Sequence, residues 1–130
     1  MTRVRTSQRD RYRAVRFGVD TLPAGLALPR HRHTVGYATV VLAGSFEEAS
    51  FAGRFLAAPG DVLLHGAFDC HANQPLTRRA PQIVRLPWDD LLVEGQFRVR
   101  DPDALARLSE SDVQEAVTML RGDLISTSER

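Results

Sequence analysis

At 130 residues the chain has room for one domain and not for two ordinary ones. Its 43% hydrophobic and 25% charged residues exclude wholesale disorder, and a formal net charge of +1 gives no reason to expect a nucleic-acid surface. No apolar run approaches the ~18–20 residues of a membrane helix and no signal peptide precedes Arg16, while a single cysteine, Cys70, permits neither an internal disulfide nor a cysteine-based zinc site, so a reducing cytoplasm is the expected compartment.

The chain opens on Arg3, Arg5, Arg9, Arg11, Arg13 and Arg16 against one acid, Asp10. Residues 1–12 are expected to be a solvated, partly disordered leader. A phosphate-binding arm is the alternative, without the interleaved aromatics that would strengthen it. From residue 13 to about 100 the pattern is short strands punctuated by turn residues, which points to a β-sandwich or barrel and not to a parallel sheet. Arg13–Val19 is β-prone, Leu22-Pro23-Ala24-Gly25 is a turn, and Leu28–His33 is extended, with Pro29 at an edge or a strand start. Tyr37–Ala43 is the strongest strand, closed by Gly44. Phe46–Ser50 and Arg54–Ala57 form a hairpin, with Gly53 in the left-handed conformation. Pro59-Gly60-Asp61 makes a tight turn before the strands Val62–His65, Phe68–Asn73 and Gln82–Leu86.

Residues 101–124 read as a helical hairpin. Asp101 caps a helix of about Pro102–Leu108, with proline at its first position. Ser111 with Gln114 makes a capping box for a second helix. On that helix Val113, Ala116, Val117 and Leu120 form one apolar stripe ending near Gly122. The stripe packs on the chain's own barrel or meets a second copy or a neighbouring domain. Residues 125–130 are a tail.

All four histidines fall between positions 31 and 71. On a strand His31 and His33 project to one face, within reach of one metal ion. His31-x-His33-x3-Tyr37-x6-Gly44, then Gly60-Asp61 and His71, resembles the two motifs of the cupin superfamily. The resemblance implies an all-β fold, a double-stranded β-helix (cupin or jelly-roll barrel), here followed by two short C-terminal helices. It also implies metal ligation by His31, His33 and His71, with Gly44 and Gly60 as turn glycines. Tyr37 stands where that family has a glutamate ligand, and Gly66-Ala67-Phe68 alters the segment before the last histidine. Three neutral imidazoles suit zinc, nickel, copper or iron. Without the glutamate such a site carries one more unit of positive charge and favours an anionic ligand or hydroxide.

Three further residues belong to the candidate site. Tyr37 is either barrel filling or a hydrogen-bonding neighbour of a ligand. His65 is a fourth ligand, a partner that fixes an imidazole tautomer, or a structural residue. Asn73, one pleat beyond His71, faces the same way or makes an ordinary strand hydrogen bond. Cys70 should face away as a small buried hydrophobe, and Arg30 and Arg32 away from the histidine pair. Trp88 is expected to cover a barrel edge. Phe46, Phe51, Phe55 and Phe68 are core, rim or pocket lining.

The string HRHTVGYATVVLAGSFEE…GDVLLHGAFDCHAN…VRDPDALARLSESDVQEA is similar to the N-terminal sensor domain of AraC-type transcriptional regulators. That resemblance implies a domain that binds a small molecule along with a divalent metal, and that forms a homodimer. Such regulators bind DNA through two helix-turn-helix units. Residues 101–130 hold only two short helices, so this chain is not expected to bind nucleic acid directly, nor to associate with a membrane. Whether it is a piece of a regulator or a stand-alone relative stays open. The expected chain is not an enzyme. A metal-dependent oxygenase, isomerase or lyase is the alternative, weakened by the lack of an evident general base, since Glu47 and Glu48 lie beyond Gly44 on the following strand. A metal-free structural barrel is the third reading.

Overall fold

The computed structural model describes residues 12–13, 16–22, 28–33, 36–50, 53–66, 70–88 and 95–126; the side chains at 12, 13, 28–33, 50, 70, 71, 95, 96, 125 and 126 are not among what it describes. Its strands are β1 (Tyr12–Arg13), β2 (Gly18–Thr21), β3 (Leu28–His33), β4 (Tyr37–Ala43), β5 (Phe46–Ser50) and β6 (Gly53–Ala57). They continue with β7 (Asp61–His65), β8 (Cys70–Pro75), β9 (Gln82–Pro87), β10 (Gly95–Arg98) and β11 (Ile125–Ser126). Two helices, α1 (Pro102–Ser111) and α2 (Val113–Asp123), separate β10 from β11.

The strands form two sheets, one ordered β1-β3-β8-β5-β6 and the other β11-β10-β7-β4-β9-β2. β3 pairs with β8 while β4 pairs with β7, and β5 pairs with β8 while β4 pairs with β9, all antiparallel. An antiparallel ribbon is thus wound so that its strands pass from one sheet to the other, which is a double-stranded β-helix or jelly roll.

Alternation along the strands explains how two apolar layers arise. In the second sheet Val41, Leu63 and Ile83 meet Phe46, Ala57 and Leu22 between the sheets. Their neighbours Ala38, Val40, Val62, Leu64, Val84 and Leu86 face the other way and pack with Leu105, Ala116 and Leu120 of the helices. β4 and β7 are therefore covered on both faces, and every residue of β7 is buried. This is why YATVVLA reads as a continuous apolar run instead of an alternating one.

Local chemistry sets the turns and caps. Asp61 N–H donates to the Ala58 carbonyl (2.9 Å) across Pro59-Gly60, and Gly60 has φ 91°. That is a type II turn, with proline at its second position and the left-handed residue third. The Asp61 carboxylate accepts from Ala58 N–H (2.9 Å) and from Arg98 (2.7 Å), tying the turn to β10. Asp101 caps α1 by accepting from Ala104 N–H at 3.0 Å. Asp112, not Ser111, caps α2, accepting from Glu115 N–H at 3.1 Å. Ser111 instead closes α1, its hydroxyl donating to the Leu108 carbonyl at 3.2 Å. The expected Ser111–Gln114 box fails because an aspartate one residue later reaches the free amide from a better position.

Other boundaries also move. The leader reaches residue 12 only in the sequence reading: Tyr12–Arg13 run parallel to Arg32 and His33 in β1–β3, and residues 1–11 lie outside the described set. The expected strand Arg13–Val19 is replaced by β1 and β2. The tail is not all tail, since Ile125–Ser126 pair with Phe97–Arg98. β10 itself was not foreseen, because GQFR offers a single large apolar residue and no alternation. Ala116 and Leu120 are fully buried, with Val113 and Val117 packed beside them, so the helical stripe rests on its own barrel.

On the second sheet's β2 edge Asp20 accepts from Arg85 at 2.6 Å. Burial pushes the Asp20 carboxyl up, but the Arg85 hydrogen bond, the Thr21 N–H and the Arg85 and Arg16 charges outweigh it and hold the group below its ordinary value. A lowered folded-state pKa contributes stability that is present above the unfolded value and lost as pH falls through the folded one. The Asp20 side chain is 40% exposed, so the contribution is small. Acid titration of the urea midpoint should show a slight loss below the ordinary carboxylate range that Asp20→Asn removes. An Asp20→Asn profile parallel to wild type throughout would contradict this.

Candidate functional site

One end of the space between the sheets is apolar, around Phe46, Leu63 and Ile83. The other end is polar. Tyr37 and His65 are direct partners in the β4–β7 ladder, and both are buried. Their rings stack with centroids 4.5 Å apart and planes inclined at 26°.

Across the interior, from the other sheet, comes Glu48. It is 3% exposed. Its two carboxylate oxygens lie 2.8 Å and 2.9 Å from His65 Nε2. To donate there, Nε2 must carry the hydrogen, which fixes the tautomer of a neutral ring. Asn73, the β8 partner of Glu48, is also buried. With its amide nitrogen toward β5 it donates to Glu48 Oε1 at 3.1 Å and to the Ala72 carbonyl at 3.2 Å. A buried carboxylate is thus held by charge-assisted hydrogen bonds from both sheets, the arrangement that makes a buried charge tolerable.

Tyr37, His65 and Asn73 are therefore brought together, and Glu48, which sequence reasoning set aside as beyond the site, is at their centre. Its signal was present in FEEAS: with Phe46 pointing inward, a period of two sends Glu48 inward and Glu47 outward. Glu47 does face out, where its carboxylate accepts from Arg54 at 2.6 Å. The expected lack of a carboxylate inside the barrel is corrected. Tyr37 is no isolated filler, and Asn73 makes more than a strand bond.

The three motif histidines are described by backbone alone. His31 is the ladder partner of His71, and His71 is the partner of Ser50 on its other side. Glu48–Asn73 is the next pair on the same face of the β5–β8 ladder, one two-residue step or about 7 Å along the strands. Positions 31, 71 and 50 thus form a row on the face that carries Glu48 and Asn73. His33 follows His31 by two residues on that face, opposite Arg13 of β1. A shift of register between Leu28 and His31 brings the histidine positions into this row. Among the described residues no group of three or more histidine, cysteine, aspartate or glutamate side chains could hold a metal ion; the side chains of His31, His33 and His71 lie outside that set.

Phe46 is core and Phe55 packs against it. Phe51 and Phe68 lie outside the described residues, as do the side chains of Arg30, Arg32 and Cys70. Trp88 departs from expectation. It is 5% exposed and sits in the layer beneath the helices, with the Arg121 guanidinium 4.8 Å from its ring centroid, because α2 covers the end of β9. The backbone N–H of Trp88 donates to the Gly36 carbonyl at 3.3 Å. A Cβ on Gly36 would collide with the Trp88 carbonyl oxygen, so only glycine lets the two backbones approach this closely.

The fold and this interior define the class: a jelly-roll domain whose barrel encloses a polar cluster at one end. No protein-family model matches the sequence, and no curated protein matches it. Among solved structures the chain is similar to the cupin domain of Cnp3 from Schizosaccharomyces pombe (18% identity, TM-score 0.47, covering 52% of this chain and 47% of that one). It is also similar to the DMSP lyase DddQ from Ruegeria pomeroyi DSS-3 (27% identity, TM-score 0.47, covering 65% and 42%). A third is KdgF from Halomonas sp. (19% identity, TM-score 0.46, covering 52% and 63%). The chain spans less than two thirds of the length of each. No helix is long and apolar enough to cross a membrane among the described residues.

Proposed function

We propose that the chain is a small-molecule- and metal-binding sensor domain related to those of AraC-type transcriptional regulators, with the polar end of the barrel as its site. One observation carries the reading. Tyr37 and His65 face the interior from β4 and β7, while the adjacent Ala38 and Leu64 pack in the layer that holds the helices. A ligand that shifts those two strands by a fraction of an ångström therefore acts on the helices directly, because packed layers respond as rigid units.

Tyr37, His65 and Asn73 are the residues that would contact the small molecule. His31, His33 and His71 would hold a divalent metal such as zinc, nickel or iron, and the pairing of positions 31 and 71 supports that donor set. When bound, such an ion supplies Lewis acidity and lowers the pKa of a coordinated water. A site of three neutral ligands keeps the full charge of the ion and attracts an anion. Glu48 keeps His65 oriented beside it. Homodimerisation in a cytoplasmic setting, with no direct contact to nucleic acid, completes the proposal.

For signalling, the ligand must bind two helix arrangements with different affinity. Amide exchange across Val113–Asp123 and the association state should both change when zinc, nickel or ferrous iron is added, alone or with acetate. Identical exchange and association in every state would overturn the sensor reading. The buried Glu48–His65 pair favours a second reading, a metal-dependent cupin enzyme, since it supplies the acid–base group the sequence did not reveal. Substrate turnover by the metal-loaded chain that falls in Glu48→Gln at unchanged metal content would favour the enzyme.

A further inference from the structure

Among the described residues each sheet ends in two strands with no ladder partner on one side: β1 and β6 in the first, β2 and β11 in the second. β1 and β11 are two residues long, too short to template another strand. β6 (GRFLA), laid antiparallel on a copy of itself about its central Phe55, would set Arg54 against Leu56. β2 differs. Leu22 N–H donates to the Pro81 carbonyl at 2.8 Å, which fixes the phase of the β2–β9 ladder. Asp20 therefore turns its backbone groups toward β9, and Val19 turns its N–H and C=O outward. Four large apolar side chains are exposed among the described residues, and Phe17 (44%) and Val19 (47%) are two of them. Both lie on the helix side of the sheet: Val19 is the partner of Val84, and Phe17 shares a concavity with Trp88 and Val117. Asp20 lies on the opposite side with Arg85, and the charge of Arg16 acts on the same carboxyl. The apolar stripe of α2, by contrast, is already buried against the barrel.

We infer that the outer side of β2 binds β2 of a second copy of this chain, antiparallel about a two-fold axis at Gly18. The segment Arg16-Phe17-Gly18-Val19-Asp20 is complementary to its own reverse. Phe17 of each copy meets Val19 of the other, and Arg16 meets Asp20, so apolar side chains face each other and opposite charges meet twice. Val19 N–H and C=O gain partners on the backbone of the second copy's Phe17. Each Asp20 oxygen holds one donor, Thr21 N–H at 2.8 Å or Arg85 at 2.6 Å. A carboxylate oxygen accepts two, so the second copy's Arg16 adds to these contacts without displacing them. Gly18 puts no side chain between the strands at the axis, and a Cβ there would meet nothing of its own chain within 4 Å. The two six-stranded sheets then run on as one. The homodimer proposed above thereby acquires a surface; pairing at this edge rests on that dimer and not on a metal or ligand in the barrel.

An edge of this size makes a weak, reversible dimer, so sedimentation equilibrium should show monomer and dimer exchanging between micromolar and millimolar concentrations. Val19→Lys, a change at an exposed position, should weaken dimerisation at least about tenfold while the circular dichroism spectrum stays the same. Arg16→Glu and Asp20→Arg should each weaken it, because like charges then face each other twice. An equimolar mixture of the two should recover it, since both pairs are opposite in the mixed dimer. Cysteine pairing tests the register without altering charge. On a Cys70→Ser background, Phe17→Cys and Val19→Cys chains oxidised together should give a mixed disulfide dimer in clear excess over either chain alone. Amide exchange in α2 that ignores added metal would end the sensor reading and leave this edge standing. Wild type that is monomeric at millimolar concentration overturns the inference. So does folded Val19→Lys that dimerises like wild type, a mixture of folded charge variants no better than either alone, or cross-linking no greater in the mixed chains than in the separate ones.

Discussion

Replacing Glu48 with alanine should lower the free energy of unfolding by about 2–4 kcal/mol, since a buried donor that loses its acceptor costs about 1–3 kcal/mol and the space left by the side chain adds to that. Glu48 and His65 come from opposite sheets, so their contact is a polar tie through the middle of the sandwich. Alanine there removes the acceptor of His65 Nε2–H and one of the two acceptors of the Asn73 amide, and opens space beside the His65 ring. Small domains have only about 5–15 kcal/mol in total, so the variant should be near the edge of folding at room temperature. Glu48→Gln should cost less, about 1–2 kcal/mol, because its carbonyl still accepts from His65 Nε2–H. The double variant Glu48→Leu/His65→Leu should lose less than the sum of its single variants, since each single change orphans the other group. Urea unfolding across the series measures this. Equal effects of alanine and glutamine would mean that side-chain volume and not hydrogen bonding is what Glu48 contributes.

The second large effect is expected at the helix interface. Leu120 is fully buried against the outward face of β4, β7 and β9, with Ala116 beside it. Leu120→Ala should cost about 2–5 kcal/mol, depending on how far α2 can settle into the space left. Thr118, exposed on the same helix, should change stability by no more than about 0.5 kcal/mol when replaced by alanine. Amide exchange within α2 should accelerate in Leu120→Ala ahead of global unfolding, because the helix is held by that one apolar seam. Exchange that speeds up uniformly over barrel and helix would show that the two layers unfold as one unit, and the coupling between site and helix would lose its mechanism.

Much of the fold was legible for identifiable reasons. Tyr37–Ala43 was read with its full extent because both its faces are covered, and Pro59-Gly60 marked its turn because the type II conformation needs those residue types. Asp101-Pro102 placed the start of α1. What stayed hidden depended on partners distant in the chain. GQFR becomes a strand only because Asp61–Leu64 offers it a ladder, and Ile125–Ser126 because Phe97–Arg98 then offers an edge. Glu48 was the chief omission at the site. Its inward direction could be read from Phe46, but its meeting with His65 required knowing that β5 and β7 lie on opposite sheets at the same height. Trp88 was misplaced for a similar reason, since nothing in PWDD shows that α2 will lie over it.

The central claim is that the barrel gathers three imidazoles, distant in sequence, around one ion at the polar end of its interior. Elemental analysis of tag-free protein, wild type beside the His31→Ala/His71→Ala variant, tests this most directly. About one equivalent of a divalent transition metal per chain in wild type, and its loss in a variant that keeps the same circular dichroism spectrum, is the predicted result. Wild-type protein that takes up no metal after exposure to zinc, nickel and ferrous iron, or a folded variant that retains the full complement, would contradict it.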